Sequence, residues 1–139
     1  MFDNEAIKKK WIGVPHRLDG KDERGTDCVG IIYVLYADVN IYLPGSSVHK
    51  TKDLPWIHKM LALLRQQFEV TQAPHEIGDI MLYRLQRAYT DELHCGFYLG
   101  NNELIHIYGS KGVVVESVKR WQSQFIKAYR LRRHRCPLK

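Results

Sequence analysis

Cys28, His94 and His106 have the residue types and surroundings to do chemistry together. Cys28 stands in Thr26-Asp27-Cys28-Val29-Gly30-Ile31-Ile32, where a polar loop ending at Gly25 meets Thr26 or Asp27, either a good N-cap, and apolar residues then recur to Leu35. The spacing predicts Cys28 in the first helical turn. Unpaired N–H groups and the positive end of the helix dipole there favour a thiolate, and can draw a cysteine pKa from about 8.5 toward roughly 3.5 to 7.5. Such a thiolate is a nucleophile. The plain alternative is a small buried hydrophobe, a common fate of free cysteine.

His94 lies in Leu93-His94-Cys95-Gly96-Phe97-Tyr98-Leu99. Strand alternation puts Leu93, Cys95, Phe97 and Leu99 on one face and His94, Gly96 and Tyr98 on the other. The first set reads as core. His94, beside a glycine that leaves space, is free to meet the start of the Cys28 helix. His106, flanked by Ile105 and Ile107, is placed to hold the first imidazole. A thiolate, a proton-shuttling histidine and a third polar group that fixes its tautomer is the general arrangement of cysteine nucleophiles. Taken singly, each histidine also fits a structural or solvent-facing role. Zinc would be another use of two Cys and two His, but adjacent His94 and Cys95 point to opposite faces and no C-x-x-C pair is present, so no metal is expected.

In an antiparallel hairpin, facing residues have numbers that sum to a constant. His94 and His106 share a face only if that sum is even, and a two-residue Asn101-Asn102 turn would make it odd. A triad therefore requires an odd loop, most simply Gly100-Asn101-Asn102, or a compensating bulge.

The elements that must hold these residues follow from periodicity. Asp3 or Asn4 can cap a short helix through Ile7 and Trp11, stopped by Gly13-Val14-Pro15. The Cys28 helix should end near 38–40. A further helix, with Asp53 as cap and Pro55 in its first turn, carries Ile57, Met60, Leu61, Leu64 and Phe68 as one buried stripe. Beyond Pro74 the period becomes extended, with strands expected at 79–86, 93–99, 103–108, 112–118 and 126–131, the last after a helical turn at 119–124. Helices followed by a run of strands imply an α+β fold with an antiparallel sheet of about five strands.

At 139 residues and 45% hydrophobic content, the chain suits one domain, residues 1–139. No apolar run approaches a membrane span, and Met1-Phe2-Asp3-Asn4-Glu5 lacks the order of a secretion signal, so synthesis in the cytoplasm without membrane insertion is expected. Three cysteines, at 28, 95 and 136, lack framework spacing and read as reduced thiols. A net charge of +6, concentrated in Lys8-Lys9-Lys10 and 130–135, suits an anionic partner, either nucleic acid or an acidic cell wall. No recognition helix or aromatic RNA platform is evident, so specific nucleic-acid binding is the weaker reading.

Several short motifs together resemble the NlpC-like cell-wall cysteine peptidases, a branch of the papain-like fold. Trp11-Ile12-Gly13-Val14-Pro15-His16-Arg17 resembles that family's leading segment, and Gly25-Thr26-Asp27-Cys28-Val29-Gly30-Ile31 its Asp-Cys-Ser-Gly nucleophile motif. Asn40-Ile41-Tyr42-Leu43-Pro44 is similar to Gly-Ile-x-Leu-Pro, and Gly78-Asp79-Ile80 to its strand-opening Gly-Asp-Leu. His94-Cys95-Gly96-Phe97-Tyr98-Leu99-Gly100 resembles His-Val-Gly-Ile-Tyr-Leu-Gly, and Leu104-Ile105-His106 resembles Phe-Ile-His.

The resemblance implies Cys28 as nucleophile, His94 as general base and His106 as its orienting partner. It places Val29, His16 and Asp27 at the oxyanion or substrate, and it implies no cofactor. Val29 replaces the family's serine, which removes a hydroxyl but keeps a backbone N–H for an oxyanion hole. His16 replaces its tyrosine. The segment Gly112-Val113-Val114-Val115-Glu116-Ser117 with Trp121 is similar to versions from phage tails and gene-transfer particles. The implied activity is hydrolysis of peptidoglycan stem peptides, with muropeptide substrates and phage tail proteins as partners. The alternative in the same setting is a tail-tip component that keeps the fold without turnover.

Overall fold

Asp3 opens the first helix as its residue type predicts. In the computed structural model, which describes residues 1–18, 20–44, 56–86 and 91–132, it caps α1 (Asn4–Trp11) by accepting from the Ala6 amide at 3.1 Å. Lys8, Lys9 and Lys10 fill the last turn, where the helix dipole favours positive charge, while Ile7 and Trp11 face inward. A small hairpin, β1 (Lys21–Asp22) and β2 (Gly25–Thr26), leads into α2 (Gly30–Ala37). Apolar nearly all round, α2 is buried accordingly, with Ile31, Ile32 and Leu35 fully inaccessible.

Helix α3 (Trp56–Gln67) buries Met60, Leu63 and Leu64. The expected stripe shifts slightly, since Leu61 is half-buried and Leu63 takes its place in the core. Phe68 is buried too, but as the first residue of a strand, β3 (Phe68–Thr71). The expected cap Asp53, the expected first-turn Pro55 and the side chain of Ile57 lie outside the described residues, as does Cys136.

The sheet is antiparallel, with β4 (Ile80–Gln86), β5 (Asp91–Gly100), β6 (Glu103–Ile107), β7 (Val113–Ser117) and β8 (Phe125–Leu131) joining β3 in the order β3-β8-β4-β5-β6-β7. Six strands thus replace the expected five or so. The extra strand is β3, whose Phe68 sits four residues after Leu64 and so continues the helical spacing through the switch to extended backbone. The helical turn expected at 119–124 is a 3₁₀ segment, Val118–Gln124.

Each sheet face has its own core. Ile80, Leu82, Cys95, Phe97, Leu99, Ile105, Ile107 and Val113 pack with the three helices. Met81, Tyr83, Leu104 and Ala128 pack under Trp121 of the 3₁₀ segment. Long-range polar contacts pin the helices in place. The Tyr36 hydroxyl donates to the Gly78 carbonyl at 2.6 Å, and the Trp11 indole N–H donates to Asp38 at 2.9 Å. Asp79, 1% exposed, receives two 2.9 Å bonds from Arg130 of β8. That pairing gives the Gly-Asp at the start of β4 a structural purpose, because a buried carboxylate is stable only when its charge is met.

The hairpin between β5 and β6 resolves the parity question. Gly100 pairs with Glu103 across a two-residue turn in which Asn101 and Asn102 have φ of 52° and 61°. Both angles lie in the left-handed region that this tight hairpin turn requires and that Asn tolerates. Register then slips between Tyr98 and Gly100, so that Phe97 faces Ile105 and Tyr98 faces Leu104. The expected three-residue loop is therefore replaced by a two-residue turn with a compensating bulge, and the even register is recovered.

Candidate active site

Cys28 lies in the turn that feeds α2. Asp27 organises that turn: its Oδ1 accepts from the Gly30 amide at 2.6 Å and the Val29 amide at 3.2 Å, and its carbonyl accepts from Ile31 at 3.0 Å. Regular helix begins at Gly30, so Cys28 is just ahead of the helix and not inside its first turn as expected. Gly30 has to be glycine, because a Cβ there would run into the Gly20 carbonyl oxygen and approach Thr26 Oγ1 at 2.8 Å. The loop around Gly20 is thereby allowed to press against the turn that holds the thiol.

His94, 5% exposed, and His106, fully buried, share the sheet face expected from the recovered register. Their rings are joined by a 2.7 Å hydrogen bond between His94 Nε2 and His106 Nδ1. Gly96 does not leave room for an incoming helix, as anticipated, since its missing Cβ makes way for the Leu104 side chain. Trp121 stacks on His94 with ring centres 5.3 Å apart and meets His106 edge-on at 4.9 Å. Tyr108 lies 4.9 Å from Trp121 and Tyr83 6.4 Å from His94, so aromatic rings enclose the imidazoles.

The thiol is half-buried and acidified, its pKa lowered to about 6. Interaction with the Cys95 thiol is the main cause, and the hydrogen bond and charge of His94 act the same way, outweighing burial and the nearby charge of Asp27. Cys95 itself is buried, donates to the Cys28 carbonyl at 3.2 Å, and has its own pKa pushed up by its bond to Cys28 and by burial. The strand position that reads as plain core thus also touches the nucleophile.

Of the other expected site residues, Asp27 holds the turn ahead of α2 through the Val29 and Gly30 amides. Val29, expected to offer its amide to an oxyanion, gives that amide to Asp27. His16 is exposed, and its backbone bridges to Thr26 while the Arg17 amide donates to the Thr26 carbonyl at 2.9 Å. The leading segment is also tied to β7, with Gly13 N–H donating to the Val113 carbonyl and Val113 N–H to the Val14 carbonyl, both at 2.9 Å.

Glu116 was not among the expected site residues. Its Oε1 lies 2.7 Å from His106 Nε2 and accepts from the Trp121 indole at 3.0 Å, while Oε2 pairs with Arg120 at 2.7 Å. Burial pushes this carboxyl up, but the bonds from His106 and Trp121, with the charges of His106 and Arg120, leave its pKa below the ordinary value. His106 is lowered, by burial above all, against the pull of Glu116. The sequence signal was available in the parity rule, since Glu116 is two residues from Val114, the residue paired with His106, and so shares its face.

Comparison with known proteins places the chain in a family and a fold. The NlpC/P60 family matches residues 13–130. The Escherichia coli K12 protein called murein DD-endopeptidase MepS/murein LD-carboxypeptidase is 27% identical over 124 residues, covering 87% of this chain and 57% of that protein. The probable endopeptidase NlpC of the same strain is 29% identical over 126 residues, covering 88% of this chain and 73% of that protein. The chain therefore spans little more than half the length of the first relative. Among solved structures, the NlpC/p60 domain of the peptidoglycan hydrolase SagA superposes with a TM-score of 0.62 at 22% identity, covering 92% of this chain and 96% of the other. An NlpC/P60 family protein from Bacillus cereus ATCC 10987 gives 0.65 at 18% identity, with 93% and 39% coverage. Both likenesses establish the α+β fold.

Proposed function

Since the chain belongs to the NlpC/P60 family, we propose that it is a cysteine hydrolase that cleaves peptide or amide bonds in peptidoglycan stem peptides. The observation that carries this reading is the acidified Cys28 thiol beside a hydrogen-bonded His94–His106 pair. The Cys28 thiolate attacks the scissile carbonyl, and the electron pair moves onto oxygen, where the Cys28 backbone N–H serves as an oxyanion donor. His94, carrying the proton taken from the Cys28 thiol, delivers it to the leaving amine, which departs and leaves a thioester. Water, deprotonated by His94, then attacks the thioester, releasing the carboxylic acid and restoring the thiol. His106 orients His94. With a thiol pKa of about 6, most of the nucleophile is ionised at neutral pH.

The setting we propose is a phage tail or related particle acting on the cell wall. It is supported by the likeness of Gly112-Val113-Val114-Val115-Glu116-Ser117 and Trp121 to that group. The competing reading there is a component that binds wall without turnover. Incubating purified muropeptides with the wild-type protein and with Cys28→Ala, followed by mass analysis, decides between them. The proposal expects products heavier by one water in sum and formed only by the wild type; no cleavage by either protein favours the silent component, and equal cleavage by both removes Cys28 from the chemistry.

A further inference from the structure

Resting on that reading of the site, we propose that Glu116 is a positioning residue that fixes the tautomers of both histidines, making the working unit a relay of Cys28, His94, His106 and Glu116. The argument is one of donors and acceptors. Trp121 Nε1 and Arg120 can only donate, so both Glu116 oxygens are accepting and the group is a carboxylate. At 2.7 Å from Oε1, His106 Nε2 must therefore carry a hydrogen. A neutral His106 then has its lone pair on Nδ1, and the 2.7 Å contact to His94 Nε2 requires that nitrogen to be the donor. Neutral His94 in turn keeps its lone pair on Nδ1, the form a base needs to take a proton from a thiol. Burial of His106, which disfavours its charged form, protects this chain of assignments.

Protonating His94 makes an imidazolium, which donates from Nε2 to a ring already backed by a negative carboxylate. Other charged or titratable groups around the relay are Arg120 beside Glu116, Tyr83 and Tyr108 beside His94, and Cys95 and Asp27 beside Cys28. Glu116 itself bonds directly to the far nitrogen of His106. The residues that hold it are local: Glu116 ends near the edge of β7, and Arg120 and Trp121 return to it from the 3₁₀ segment directly after.

Glu116→Gln keeps the shape and two possible acceptor contacts but removes the charge. Three measurements test the relay. Nitrogen-15 spectra of histidine-labelled wild type should show His106 protonated on Nε2 and bare on Nδ1. The pH profile of Cys28 alkylation by iodoacetamide should shift upward in Glu116→Gln, since the imidazolium that accompanies the thiolate loses support, with the rate at pH 6 falling several-fold. Where muropeptide turnover is measured, kcat/KM should fall by roughly 10-fold or more, yet by less than the roughly 10⁴-fold that losing a carboxylate bonded directly to the base costs, and Glu116→Asp should recover part of it. A purely structural Glu116 would leave the alkylation profile unmoved. Protonation of His106 on Nδ1, or superimposable alkylation profiles, would overturn the proposal. The spectra and alkylation need no substrate, so they decide the relay even where the wild type cleaves no muropeptide.

Discussion

At the scale of single residues, Cys28 is acidic because two neighbours on one strand converge on it. Adjacent strand residues point to opposite faces, yet Cys95 and His94 both lower the Cys28 pKa, and the Cys95 thiol donates to the Cys28 carbonyl at 3.2 Å. Followed against pH, alkylation of Cys28 should have its midpoint near 6. Cys95→Ala removes the thiol donor and should raise that midpoint, while Cys95 itself stays unreactive because it is buried and its pKa is pushed up. An unmoved midpoint in Cys95→Ala would assign the whole effect to His94. Cys28, His94 and His106 were legible in the sequence because each stands in a recognisable pattern of caps or alternation. The contribution of Cys95 was not, since alternation marks it only as core and says nothing of how closely the turn before α2 approaches.

At the scale of elements, the site depends on backbone at a few glycines and asparagines. Gly112, with φ of 76° and ψ of −147°, occupies a region almost confined to glycine, and a Cβ there would meet the Val14 carbonyl oxygen. It lies next to Val113, where the leading segment is stitched to β7. Gly13 has φ of 92° but nothing within 4 Å of the point where a Cβ would stand, which makes it a control for backbone strain alone. Gly13→Ala should cost roughly 1–2 kcal/mol in urea denaturation, and Gly112→Ala clearly more. Equal costs would mean that the contact with Val14 yields freely. Helix α1, the strand periods and the need for even register could all be read from sequence. The turn at Asn101-Asn102 with its bulge could not be separated from a three-residue loop, since both restore the same register. Strand β3 escaped because Phe68 satisfies the helical period and the strand alternation at once.

For the whole molecule, the basic clusters look less like a docking surface once their partners are counted in. Lys8 pairs with Glu103 at 2.8 Å and Lys10 with Asp38 at 2.9 Å. Arg130 is held by Asp79 and Glu76, and Arg132 donates to the Phe68 carbonyl at 2.9 Å. Much of the visible positive charge therefore fastens α1 and β8 to the domain, and positions 133–135 lie outside the described residues. Composition reports how many charges a chain has, and only the fold reports which of them face each other. The central claim is that this fold serves a covalent reaction at Cys28. It is tested most directly by mixing the protein with purified muropeptides, quenching in acid within the first turnovers, and mapping adducts by mass spectrometry. The account predicts a thioester-linked muropeptide fragment on the peptide that contains Cys28, absent from Cys28→Ala; cleavage that proceeds with no adduct at Cys28, or that persists in the variant, would contradict it.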